Sequence, residues 1–426
     1  MFINIYIYIM SFTKKSEKLI DFFINEIDLF FKERTKKNQK IYNNILNILY
    51  QDILITDKYV NFLSKKNKIK FEVKEIVNLN QISKQELLTG SLVDKKCYNF
   101  IKNNIKGIMK LQTTIQNLNV TINYAFLKKN EFNNLKKIEK ILLHALKIVR
   151  FCNLYRKNEK VKSLDIYLYL TPEKKKLPNA DIEILGPEHC NSAVTFACST
   201  QGELLIYRHE EWKKTLIHEL FHSLCLDFSL INYEKLKKNV NSIFKINSEL
   251  LISETYAEFW ANIINCCFCS YSFLKDKSDV DGFILYSEFC IHIEKIFSLF
   301  QCVKILDFMN LKYKHLWLDD KISYSYRNIL FKEKTNMFSY YILKTIFLTF
   351  DDDFFVWCYN NNSNILKFDS SEILFNKLFK FIKKKYKSKK FLSDIELMET
   401  KITDCQDLKN KLVCQTMRMT ICDYII

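Results

Sequence analysis

Residues Glu210 to Leu226 read EEWKKTLIHELFHSLCL. The spacing predicts a helix, because Leu216, Ile217, Leu220, Phe221 and Leu224 recur at intervals of three and four and form one apolar stripe. Glu210 and Glu211 fall in its first turn, where carboxylates suit the positive helix end. His218 and His222 are four apart, so their rings project side by side from one edge of the helix. Two imidazoles so spaced can share a tetrahedral ion at about 2.0–2.1 Å each. Glu219 is one position on, so its carboxylate lies beside the ion rather than on it. There it can take a proton from water that the ion activates. The bland version of the pattern is an ordinary helix whose two His are core or surface residues.

A two-His site needs a third protein ligand and an open position for water. Asp227, just past the motif, reads as a polar residue at the helix end. The segment SELLISETYAEFWANIINCC differs and predicts one helix over about 249–270. Glu254 and Glu258 lie one turn apart on it, on a face shared with Ala257 and Ala261, and those small residues permit close helix packing. Two carboxylates inside an otherwise apolar helix are costly unless paired or bound to a cation. One can ligate the ion, and the other can accept the free N–H of a ligating His.

HELFH followed 32 residues past the second His by ETYAE resembles the gluzincin class of zinc metallopeptidases. There HExxH is completed by a Glu from a later helix, commonly within NExxxD or NExxAE. The resemblance implies one zinc ion held by His218, His222 and Glu254, with Glu258 behind a ligand and Glu219 as general base. Here Ser253 stands at the Asn position and Glu258 at the Asp position. The metzincin pattern is not met, since Cys225 and Phe228 occupy its Gly and His/Asp positions. The class also leads into its active-site helix through an edge strand and a second strand. Asn191-Ser192-Ala193 opens the first such run here and GELLIYR forms the second, so the first is expected to pair with an extended peptide substrate. An oxyanion donor from the region after the ligand helix is implied too, with Tyr340, Tyr341 and His292 available. His189 and Arg208 flank the substrate strand. The resemblance covers about residues 130 to 270. The whole, with its helical flanks and composition, is similar to uncharacterised metallopeptidase-like proteins of large DNA viruses.

Outward from the motif, residues 12 to about 66 carry apolar positions at helical spacing, among them Leu19, Ile20, Phe23 and Ile27. Residues 109–128 are rich in β-branched residues and predict strands, followed by a helix over about 131–153 and a strand at 164–170. All three Pro lie between 172 and 187, and Gly186 and Gly202 are near them, so tight loops and two short strands precede the motif. After about 272 the pattern is helical, broken by YNNNSN at 359–364. The expected fold is α+β and predominantly α. A zincin-like core with a small mixed sheet (108–228) sits between a helical N-terminal region (1–107) and a helical C-terminal region (229–426) that supplies the third ligand.

The 426 residues carry a net charge of +17, a nucleic-acid binder's charge. Yet only six of the 65 basic residues are Arg, the residue that recognises phosphate by forked hydrogen bonds. Abundant Lys, Asn, Ile, Phe and Tyr fit an A+T-rich coding sequence, so nucleic acid is not the favoured partner. The 14 Cys form no short-domain framework and predict free thiols in a reducing, intracellular setting. Cys266, Cys267 and Cys269 lack a partner pair and read as small apolar residues. MFINIYIYIM at the N-terminus is too short to span a bilayer and lacks a signal's basic start, which predicts a soluble protein. Peptide hydrolysis is the leading expectation. An idle site on the same fold, and a basic nucleic-acid-associated protein, are the alternatives.

Overall fold

The computed structural model describes residues 10–30, 34–76, 78–82, 87–157, 159–179, 183–407 and 411–426. The N-terminal MFINIYIYI lies outside them. The longer helices are α1 (Lys14–Phe23), α2 (Lys36–Lys65), α3 (Lys95–Asn104), α4 (Leu135–Leu154), α5 (Trp212–Ser223) and α6 (Glu234–Phe244). After these come α7 (Ile252–Phe273), α8 (Val280–Phe308), α9 (Lys321–Leu330), α10 (Asp351–Asn361), α11 (Glu372–Lys385) and α12 (Lys389–Asp407). The strands are β1 (Lys70–Glu75), β2 (Gly107–Ile115), β3 (Leu118–Phe126), β4 (Ser163–Thr171), β5 (Ala193–Thr195) and β6 (Gln201–Arg208). The protein is α+β and predominantly α, with one small mixed sheet.

The sheet order is β1-β2-β3-β4-β6-β5. β1, β2 and β3 run antiparallel, β4 is parallel to both β3 and β6, and β5 pairs antiparallel with β6 at the edge. Alternation along the strands gives two covered faces. Leu164, Ile166, Leu168, Leu204 and Ile206 join the main core with α4 and α5. Tyr167, Tyr169, Leu205 and Tyr207 face a smaller core with Cys97 and Ile101 of α3. α7 is buried on nearly every side, which its almost unbroken apolar sequence requires, and it packs against α5 and α8.

One expectation about organisation changes. β1 (KFEVKE) lies inside the segment read as helical; its short, charged and mostly exposed sequence gives no apolar alternation to read. One hydrophobic core runs from Met10 to Tyr424. The thiols differ too. Cys198–Cys225 and Cys405–Cys414 are disulfides, and the ten other cysteines are free and buried. These pairs meet only in three dimensions, so their spacing announced nothing. Among the described residues no helix is long and apolar enough to cross a membrane.

Candidate metal centre

The chain leaves β6 through His209 and Glu210 and enters α5 at Trp212, two residues later than the sequence implies. Glu211 is the left-handed residue before the helix, with φ 62°. Neither carboxylate serves the helix end. Glu210 pairs with Lys15 and accepts from the Lys175 N–H, while Glu211 pairs with Lys175 and accepts from the N–H groups of Met419 and Thr420. The entrance to α5 is thereby tied to α1, to the β4–β5 loop and to the C-terminal segment.

α5 and α7 pack face to face, and three side-chain atoms converge between them. His218 Nε2 lies 3.1 Å from Glu254 Oε2, His222 Nε2 lies 3.3 Å from the same oxygen, and the two Nε2 atoms are 3.2 Å apart. A tetrahedral ion bonded at about 2.0–2.1 Å sets neighbouring ligand atoms about 3.3–3.4 Å apart, so the triangle has the size of one zinc coordination face. The remaining ring atoms face carboxylates. His218 Nδ1 lies 2.8 Å from Glu258 Oε2, and His222 Nδ1 is hydrogen-bonded to Asp227 Oδ2 at 2.5 Å. Both Nε2 atoms then face each other and Glu254. Three potential ligand atoms at contact distance, on two buried rings and a half-buried carboxylate, could hold a cation at their centre. The donor set fits zinc.

The electrostatics favour positive charge in this cluster. Burial alone would disfavour the His222 cation, but Glu254 and Asp227 outweigh it and raise its pKa well above the usual imidazole range. Glu254, which burial would protonate, is held ionised by the two His. Glu258 is likewise held ionised against burial, by Lys214 and His218 with Lys344 nearby. Lys214 precedes His218 by one turn of α5 and pairs with Glu258, so one carboxylate links the ring to a buried ammonium.

Glu219 stands beside this triangle, 8% exposed, at the wall of a cleft of about 630 Å³. Burial raises its pKa, and the two His oppose that shift. The edge strand lines one side of the cleft through Ala193, Val194 and Thr195. The Tyr207 N–H donates to Ser192 O, and the Phe196 N–H donates to Glu203 O. Antiparallel alternation then turns the backbone of Ser192, Val194 and Phe196 toward β6 and that of Ala193 and Thr195 toward the open edge. Asn191 also lines the cleft, its side-chain oxygen accepting from Thr335, and Ser192 Oγ is buried without a partner.

The two tyrosines separate. Phe338–Leu343 is a single π-helical stretch, and its wider turn faces Tyr340 toward the cluster. The Tyr340 hydroxyl lies 3.2 Å from Glu254 Oε2, and burial first, then Glu254, keeps it protonated. Ser339, donating to Leu251 O and accepting from Thr255, fastens this stretch to the start of α7. Tyr341 instead donates to Met417 O inside the core, which corrects its expected place at the site. His292 bonds the Ile27 carbonyl on the N-terminal side of the molecule. Arg208 is a buried clamp: it pairs with Asp94 and donates to the carbonyls of Glu188 and Asn191, holding the loop that enters β5. His189 accepts the Gly186 N–H and braces the same loop.

Asp227 was passed over as a helix-end residue. α5 ends with Cys225 in the left-handed conformation, φ 58°, and the Leu226 N–H returns to Phe221 O. That reversal brings Asp227 back over His222. No Gly marked the turn, so the signal was absent from the sequence. The Cys198–Cys225 disulfide joins this corner to the loop after β5, and the Cys198 N–H donates to His222 O.

Fold and cluster together define a predominantly helical α+β protein with a His–His–Glu group, both rings buried, that could hold a metal ion. No family model matches the chain, and no solved structure matches it. A stretch of 174 residues, 40% of the chain, is 26% identical to DNA-directed RNA polymerase subunit beta'' of Plasmodium falciparum (isolate 3D7), and the match spans 16% of that protein.

Proposed function

We propose that the protein is a zinc-dependent peptidase of gluzincin type. The observation that carries this reading is the triangle of His218 Nε2, His222 Nε2 and Glu254 Oε2, with edges of 3.1–3.3 Å and a carboxylate behind each ring. Zinc held there supplies a Lewis acid that polarises a carbonyl and acidifies a water. Glu219, at the cleft wall, takes the proton of the attacking water and delivers it to the leaving amine. The outward backbone groups of Ala193 and Thr195 hold the substrate as an added strand. Tyr340 donates toward the developing oxyanion. Asp227 and Glu258 orient the two rings, and Lys214 keeps Glu258 ionised.

The nucleic-acid reading loses ground on one point. All six Arg are engaged internally: Arg34 with Glu288, Arg150 over the Tyr59 ring, Arg156 with Val161 O, Arg208 with Asp94, Arg327 with Leu318 O and Arg418 beside Glu211.

Glu219→Gln tests the proposal against an idle site. The variant should keep one zinc in the His–His–Glu cluster and lose cleavage of a mixed peptide library by at least about 10³-fold relative to wild type. A wild type that carries zinc and cleaves nothing in the library would overturn the peptidase assignment.

A further inference from the structure

A second cluster lies deep in the helical core. Cys266 on α7, Glu294 on α8 and Cys422 on the C-terminal segment bring two sulfurs and a carboxylate oxygen within 4.8 Å of one another. All three residues are at most 1% exposed. The Cys422 thiol contacts those of Cys266 and Cys290, and Cys290 in turn contacts Cys269, one helical turn from Cys266.

Glu294 is the informative member. Its Oε1 accepts from Thr420 Oγ1, the Ile421 N–H at 2.9 Å and the Cys422 N–H at 2.8 Å, and its Oε2 accepts from Asn262 Nδ2 at 3.0 Å. Three of these four partners can only donate, so the group is arranged as a carboxylate anion. Yet no Lys or Arg among the described residues pairs with it; Lys344, the nearby ammonium, is bonded to Met419 O. Anion-shaped hydrogen bonding in a dry core without a contacting cation leaves the carboxylate short of a direct partner, which a metal ion shared with the two sulfurs would supply. Asn262 Oδ1, on the α7 face one turn before Cys266, is a buried acceptor with no partner.

We propose that Cys266, Cys422 and Glu294 bind a second divalent metal ion. Two thiolates and a carboxylate, all buried, suit zinc in a structural role. Binding replaces the protons of the Cys266 and Cys422 thiols, and two protons leave per ion bound. The ion joins α7, α8 and the C-terminal segment. That segment carries Met419 and Thr420, whose N–H groups hold Glu211 at the head of the motif helix. The site therefore braces the back of the metal centre without touching it.

The test is cobalt loading of the full-length, metal-stripped protein, read by absorption and by proton release. Wild type should bind two Co²⁺, one of them with intense sulfur-to-cobalt charge transfer in the near ultraviolet. Glu254→Gln should keep the sulfur-bound ion, which separates this site from the His–His–Glu centre. Cys422→Ser should lose the charge-transfer band or weaken that ion at least about 100-fold, while the other ion stays. Should Cys422→Ser not fold, Cys266→Ser serves in the same assay. A folded wild type that takes up cobalt with no sulfur-to-cobalt band overturns the proposal, and so does a band unchanged in both Cys variants.

Discussion

Two carboxylates behind the paired imidazoles set their character. Glu258 was visible in the sequence because it sits one turn beyond Glu254 on a helix with no other reason to carry charge. Asp227 was not visible, because it reaches His222 through a chain reversal at a non-Gly residue. Its role is testable. Asp227→Asn keeps the size and loses the charge that holds the Nδ1 proton, so zinc affinity should fall about 10–100-fold in a competition titration. Unchanged affinity would make Asp227 a mere corner residue. The HELFH helix and Glu254 were legible because their spacing is a local property of helices. Choosing between Tyr340 and Tyr341 was not, because a π-helical turn shifts which side chain faces the cluster.

Among the elements, β5 is the shortest strand and the one the proposed chemistry needs most. Three residues pair with β6, and the backbone groups of Ala193 and Thr195 face the open edge. Ala193→Pro removes an N–H that β6 does not use, so the fold should tolerate it. The account predicts unchanged zinc content and melting temperature with kcat/KM for peptides down about 3- to 10-fold, the worth of one hydrogen bond. Unaltered kinetics in a folded Ala193→Pro protein would remove β5 from substrate binding. The sheet was largely readable around this strand, since β2, β3, β4 and β6 carry β-branched or apolar runs. β1 escaped because its charged, exposed residues obey no pattern that a buried face would impose.

Across the whole molecule, charged residues far apart in sequence meet behind the motif helix. Glu210 is the clearest case. Burial alone would raise its pKa, but Arg418, Lys15 and the Lys175 N–H bring it down to about 2 from 4.5. A depressed carboxyl stabilises the fold above its unfolded value and loses that contribution as pH falls through the folded value. Glu210→Gln should therefore be less stable than wild type near neutrality by up to about 3 kcal/mol. Denaturant titrations should show that gap closing between pH 4.5 and about 2; a gap constant with pH would contradict the assignment. This long-range network could not be read from the sequence, where the same residues look like a solvated lysine-rich surface. The six Arg are all engaged within the fold, so the +17 charge rests on Lys. The central claim remains the His–His–Glu centre between α5 and α7. Anomalous diffraction at the zinc edge from crystals of the full-length protein tests it most directly. The account predicts a peak bonded to His218 Nε2, His222 Nε2 and Glu254 at about 2.0–2.1 Å, and zinc-loaded crystals with no anomalous density between these three residues would contradict it.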